Sequence, residues 1–189
     1  IGEFYSGCIG RYGQKSIKSK SQKNTHTIED RSGNVVVNDE NASNHWKKLL
    51  PSGSNIDSYT IFWNDTYVYT HPDEEVRSKY AKSGFDLEMY KGPKLFIRQT
   101  GDSLVAAVDE NEYFCLNNMH VLQINGNVSE YQVAAILNSE LLEFYYKTIS
   151  LEEGRTMAQT DIDDLENLPI PSEQNDRLEQ ACKELINLN

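Results

Sequence analysis

The carboxylate, histidine and cysteine side chains of this sequence are the ones that could carry out metal, acid–base or nucleophilic chemistry, and their spacing supports none of it. A metal-dependent nuclease needs carboxylates and a lysine gathered around one ion. Pro72-Asp73 would open such a motif, but no Glu-x-Lys follows, and Glu88 stands three residues before Lys91 instead of two. Methylation of adenine requires a cofactor-binding βα unit and an Asn-Pro-Pro-aromatic loop that grips a flipped base. Neither occurs, nor do the glycine-rich phosphate loops or a nucleophile elbow. His26, His45, His71 and His120 are scattered, and nothing orients one of them against Cys8 or Cys115. Asp161, Asp163, Asp164 and Glu166 lack the glycine and the spacing of a calcium loop and read as a solvated acidic face. The expectation is a chain with no catalytic residue and no metal ligand.

The basic residues are more suggestive. Net charge is −11, which opposes binding to a polyanion, but the charges are segregated. Phe4 to Ile28 holds Arg11, Lys15, Lys18, Lys20 and Lys23 without an acid, and Lys91 to Gly101 holds Lys91, Lys94 and Arg98 without one. Acids crowd into Asp73–Glu75, Asp109–Glu112, Glu152-Glu153 and Asp161–Glu166. Such a bipolar surface is compatible with one side facing nucleic acid.

The elements that must position these residues follow from periodicity. At 189 residues the chain reads as one domain able to bury a core. No run of about 18 apolar residues is present, so no membrane span is expected. The start at Ile1 instead of Met reads as a fragment of something longer. Cys8, Cys115 and Cys182 form no close pair; free thiols suit a reducing, cytoplasmic setting. Ser16 to Asn44 reads as a long polar loop with one strand at Val35–Val37. Tyr59–Trp63 and Thr66–Thr70 read as a hairpin around Asn64-Asp65. His71-Pro72 opens a helix to about Lys82, with acids in its first turn. Short strands are expected at Lys94–Gln99, Ser103–Val108, Tyr113–Leu116 and Met119–Ile124. Helices follow: one capped by Ser129, one carrying Leu141 to Tyr146, and one over Glu173–Leu188 with an apolar stripe of Leu178, Ala181, Cys182, Leu185 and Ile186. The fold class expected is α+β, a twisted, mainly antiparallel sheet with helices gathered at the C-terminal end. Residues 1–171 form the domain and 172–189 a C-terminal amphipathic spacer or docking helix.

The pieces also occur in a telling order. Leu50-Pro51-Ser52-Gly53-Ser54-Asn55 precedes the hairpin, then come Pro93–Thr100, Ala106-Ala107-Val108-Asp109, Leu137-Asn138-Ser139 and a closing Leu168-Pro169-Ile170-Pro171. In this order the chain resembles the TaqI-like C-terminal specificity, or target-recognition, domain of adenine-specific DNA methyltransferases and restriction-modification enzymes. Pro171-Ser172-Glu173-Gln174 is similar to the start of the spacer helix that follows recognition domains in type I specificity subunits.

The resemblance implies a bacterial, cytoplasmic domain that binds double-stranded DNA and holds the target for a catalytic methyltransferase or nuclease domain not in this chain. S-adenosylmethionine would belong to that other domain, and no cofactor to this one. It places Arg98, Gln99 and Thr100 near DNA, where Arg and Gln can pair bidentately with guanine and adenine. Arg98 also lies on a framework strand that recurs in the family, so it reads first as a phosphate or scaffold residue. Base reading then falls to loops: the basic segment Arg11 to Lys23, and Glu153 to Gln159 with Arg155, Thr156 and Gln159. The competing expectation is a protein-interaction or oligomerisation module, docking through the Glu173–Leu188 helix without direct base readout.

Overall fold

The computed structural model describes residues 2–6, 14–16, 27–29, 35–38, 46–64, 66–70, 87–150 and 158–188. Its centre is a four-stranded antiparallel sheet of β1 (Gly2–Ser6), β12 (Met119–Ile124), β9 (Lys94–Arg98) and β10 (Ala106–Asp109), in that order. β9 runs through the middle, with Phe96 opposite Val121 on one side and Ala107 on the other. All but the last of its residues are buried, as a strand covered on both faces requires.

Alternation along β9 splits the core in two, because successive side chains point to opposite faces. Phe96, Ala107, Met119 and Val121 pack on one face with Leu49, Leu50, Met89, Tyr90 and Phe114. Leu95, Ile97, Ala106 and Leu122 pack on the other with Val133, Ala134, Leu137, Tyr146, Leu165 and Cys182. The first layer is completed by a second sheet, β11 (Phe114–Cys115), β5 (Trp46–Leu50), β8 (Thr66–Tyr69) and β2 (Gln14–Ser16). The β11–β5 pairing is parallel and the others are antiparallel. Tyr90 stacks on Phe114 there, ring centroids 4.0 Å apart. The other layer is helical: α1 (Glu130–Leu137), α2 (Glu140–Ser150), α3 (Ile162–Glu166) and α4 (Asp176–Leu188). The α+β expectation, with helices at the C-terminal end, holds.

Local chemistry explains the boundaries. Ser129 caps α1 by accepting from the Gln132 amide at 3.2 Å. Asn138 ends that helix, and its side chain does what a neighbouring strand would do. Its Oδ1 accepts from the Ala106 amide at 2.9 Å and its Nδ2 donates to the Ala106 carbonyl at 2.8 Å. The next residue, Ser139, caps α2 by accepting from the Leu142 amide at 3.2 Å. Leu137-Asn138-Ser139 is thus a hinge between two helices that also seals the edge of β10.

Several expectations are corrected. Thr60–Ile61 (β7) pairs with Ile56–Asp57 (β6), and β8 pairs with β5 and β2, so the runs around Asn64-Asp65 form no hairpin with each other. Local side-chain bonds replace the ladder: Trp63 Nε1 donates to the Thr66 carbonyl and Thr66 Oγ1 to Asn64 Oδ1, both at 2.9 Å. The turn lies earlier, where Tyr59 takes a left-handed φ of 68°. Within the expected long loop, Thr27–Glu29 (β3) pairs with Val35–Asn38 (β4). The acidic run at Asp161 opens the short helix α3, which periodicity does not signal. The helix expected at His71–Lys82 lies outside the described residues.

The C-terminal helix docks on the domain itself. Buried Gln132 of α1 donates to the Glu173 carbonyl at 2.8 Å and accepts from the Asn175 amide at 2.5 Å, clipping the segment that leads into α4. Cys182 is fully buried and Ile186 packs on the same core, but Leu178, Ala181 and Leu185 face outward. The expected stripe is therefore only partly used. No described helix is long and apolar enough to cross a membrane.

Candidate nucleic-acid interface

The far end of β9 leaves the core and gathers most of the described residues proposed from the sequence. Arg98 is half-buried and fastens a neighbouring turn. Its Nε donates to the Gly53 carbonyl at 3.0 Å, and a terminal guanidinium nitrogen donates to the Ile56 carbonyl. That turn is one short helical coil at Gly53–Asn55, opened by a Ser52 cap and closed on itself by Asn55. A side chain at Gly53 would press against Arg98 Cγ at 3.1 Å and Thr100 Oγ1 at 3.4 Å, so glycine allows the close approach. Asn118 holds the same turn from the other side, donating to the Pro51 carbonyl at 3.2 Å.

Beyond Arg98 the chain meets the segment that returns to the core. Thr100 and Gln159 form an isolated antiparallel bridge, with Gly101 N donating to the Ala158 carbonyl at 2.9 Å and Thr160 N to the Gln99 carbonyl at 2.7 Å. Directly opposed residues of an antiparallel pair project to the same side. Thr100 and Gln159 are both exposed, forming a two-residue polar strip, while Thr160 turns inward and is buried. Thr160 Oγ1 donates to the Arg98 carbonyl at 2.7 Å. His120, also buried, donates from Nε2 to the Thr160 carbonyl at 2.9 Å. Burial holds the His120 imidazole below its ordinary pKa, against the raising influence of the Thr160 carbonyl and Asp161.

The structure thus brings Arg98, Gln99, Thr100 and Gln159 together. Arg98, which the sequence reads first as a phosphate or scaffold residue, braces the Gly53 turn through two backbone carbonyls. Lys94 is a correction. Its ammonium is sealed in the core, 2.6 Å from Asp109 Oδ2 and 2.8 Å from the Tyr90 carbonyl, with neither side chain exposed. It cannot reach a phosphate. Lys15 lies on β2 opposite Tyr67, which is itself opposite Lys48 on β5, so the two lysines share a cross-strand row. Arg11, Lys18, Lys20, Lys23, Arg155 and Thr156 lie outside the described residues.

Two features escaped the sequence reading. Lys47 and Lys48 are exposed, and the Lys48 ammonium lies 4.8 Å from the Trp63 ring centroid and 5.5 Å from that of Tyr113. The Lys47-Lys48 pair ahead of Leu49-Leu50 was the available signal. Asp102 and Asp161 flank the polar strip and are both exposed. Phosphates would be repelled there. Among the described residues no three His, Cys, Asp or Glu side chains converge as they would around a metal ion.

The model of the TaqI-like C-terminal specificity domain matches residues 48–170. The chain belongs to that family. The matched stretch runs from β5 to the Pro-Ile-Pro segment and contains the whole polar strip. The solved structures agree on the fold. One, described as a type IIL restriction-modification enzyme, MmeI, in complex with DNA, superposes with a TM-score of 0.62 at 10% identity. The superposition covers 99% of this chain and 28% of that one, so this specificity domain spans little more than a quarter of its structural neighbour. None of the curated proteins matches it in sequence.

Proposed function

We propose that this specificity domain recognises a target sequence in double-stranded DNA and holds it for an adenine methyltransferase or endonuclease domain of the same polypeptide or complex. Membership of the specificity-domain family over residues 48–170 carries the reading. The DNA complex named for the structural neighbour supports it. Thr100 and Gln159 have side chains suited to reading bases. Glutamine pairs bidentately with adenine, and threonine offers a hydroxyl and a methyl to base edges. The basic segment around Lys15, with Lys48 in the same cross-strand row two strands away, supplies the backbone contacts that fix the register of the duplex. Separating the two roles reconciles binding with a net charge of −11. Phosphate contact belongs to the segregated lysines, and the acid-flanked strip meets bases. S-adenosylmethionine, where the parent protein methylates, is bound by the catalytic domain.

The test is duplex binding as a function of salt. Affinity should fall linearly with salt on logarithmic axes, and reversing the charge of Lys15, Lys18 and Lys20 should weaken binding about equally on every sequence while flattening that slope. Salt-insensitive binding, or binding untouched by the reversals, would contradict the assignment.

A further inference from the structure

We infer that Thr160, latched by His120, is the positioning residue for sequence reading by the Thr100–Gln159 strip. The inference rests on the DNA-recognition reading above. It assigns a role to two residues that would touch no DNA.

The bridge between the end of β9 and the returning segment is isolated, so no extended ladder fixes its register. Thr160 takes over that duty with all three of its polar groups. Its amide donates to the Gln99 carbonyl at 2.7 Å, and its hydroxyl donates to the Arg98 carbonyl at 2.7 Å with the Gln99 carbonyl 3.1 Å away. Its own carbonyl accepts from His120 Nε2 at 2.9 Å. Both residues are only 2% exposed. His120 is itself placed by the sheet, in β12 opposite Ile97 of β9. Because its Nε2 faces a carbonyl it must carry the proton, which leaves Nδ1 an acceptor, and that atom has no partner among the described residues. An imidazole buried with half its bonding capacity unused is a cost. What the arrangement secures is the placement of one carbonyl, that of the residue following Gln159.

Register here decides function. Side chains alternate along an extended segment, so a slip of one residue would turn Gln159 inward and Thr160 outward. Arg98 ties the same corner to the Gly53 turn. The strip is therefore held from behind by Thr160 and His120 and from the side by Arg98, while its own two side chains stay exposed. A base-reading pair needs its supports in place before DNA arrives, since a loose geometry forfeits the discrimination that bidentate contact supplies.

The experiment uses the full chain and a pool of random-sequence DNA duplexes as probe. Selection on the native chain yields an enriched sequence. Affinity for it and for an unrelated duplex is then measured for Thr160→Val, which keeps the shape and removes the hydroxyl, and for Thr160→Ser, which restores the donor. The ratio of the two affinities should fall about tenfold in T160V. The unrelated duplex and the salt slope should be unchanged, and T160S should recover the ratio. A ratio unchanged in T160V, or an equal loss on both duplexes, overturns the inference. Should T160V fail to fold, His120→Leu removes the latch instead, with the same expected and contrary outcomes. If the native chain enriches no sequence, the DNA-recognition reading falls and takes this inference with it. If the native chain discriminates and T160V does so equally, only the positioning role falls.

Discussion

Strand β9 carries a cation near each end, and the fold treats them oppositely. Lys94 is drawn inside, where Asp109 and the Tyr90 carbonyl accept from it. Asp109 accepts in addition from the amides of Asn111 at 2.8 Å and Tyr113 at 2.9 Å. Arg98 sits where the strand emerges and donates to two backbone carbonyls, so that the turn at Gly53 and the residues beyond, Thr100 above all, are held at the surface. Both residues are basic, and both lie on one acid-free stretch of sequence. The Lys94 charge is out of reach of a phosphate. A cation on a sheet strand serves the framework when its neighbours supply enough acceptors. The first residue left exposed past the strand end, Thr100, is uncharged.

The comparison breaks most easily at the sealed end. Lys94→Met leaves Asp109 buried without its counter-ion and should cost about 3–5 kcal/mol in denaturant unfolding. Replacing both partners, Lys94→Met with Asp109→Leu, should recover much of that loss, because the uncompensated charge is gone. A K94M protein as stable as the native one would show that the pair is not closed.

At the open end the expected response is to pH. The folded-state pKa of His120 lies below its ordinary value of 6.5, chiefly through burial. The unfolded chain then takes up the proton first, so stability is complete above that value and is lost as pH falls from it toward the depressed folded value. The unfolding midpoint measured across this window should decline, and His120→Gln should flatten the decline. An identical decline in H120Q would assign the effect to other groups.

The smallest effect on stability should come from the strip. Thr100→Val and Gln159→Ala alter exposed side chains and should shift unfolding by no more than about 0.5 kcal/mol. Both should nonetheless reduce preference for the selected DNA sequence in competition binding. A large loss of stability in either variant would make the strip framework, like Lys94 and Arg98.

Much of the framework was legible because it is local. β12 matches its expected span at Met119–Ile124, and β9 ends one residue short of it at Arg98, since both are short runs of strand-forming residues bounded by turn signals. The Ser129 cap was readable because its bond spans three residues. The hairpin around Asn64-Asp65 was misread because two β-rich runs flanking a polar pair carry no information about better partners elsewhere; β8 found β5 and β2 instead. The burial of Lys94 was illegible because its counter-ion comes from a different strand. The Thr100–Gln159 strip was legible only as two separate candidates.

By itself, then, the sequence determined the order and type of most elements, the family they spell out and the segregation of basic from acidic stretches, all of which depend on neighbours in the chain. Tertiary structure alone decided which cations are consumed by the core, which carbonyls Arg98 and Thr160 hold, and that Thr100 and Gln159 stand side by side. Those outcomes depend on hydrogen bonds and ion pairs between residues far apart in sequence, and composition and periodicity carry no record of such partners.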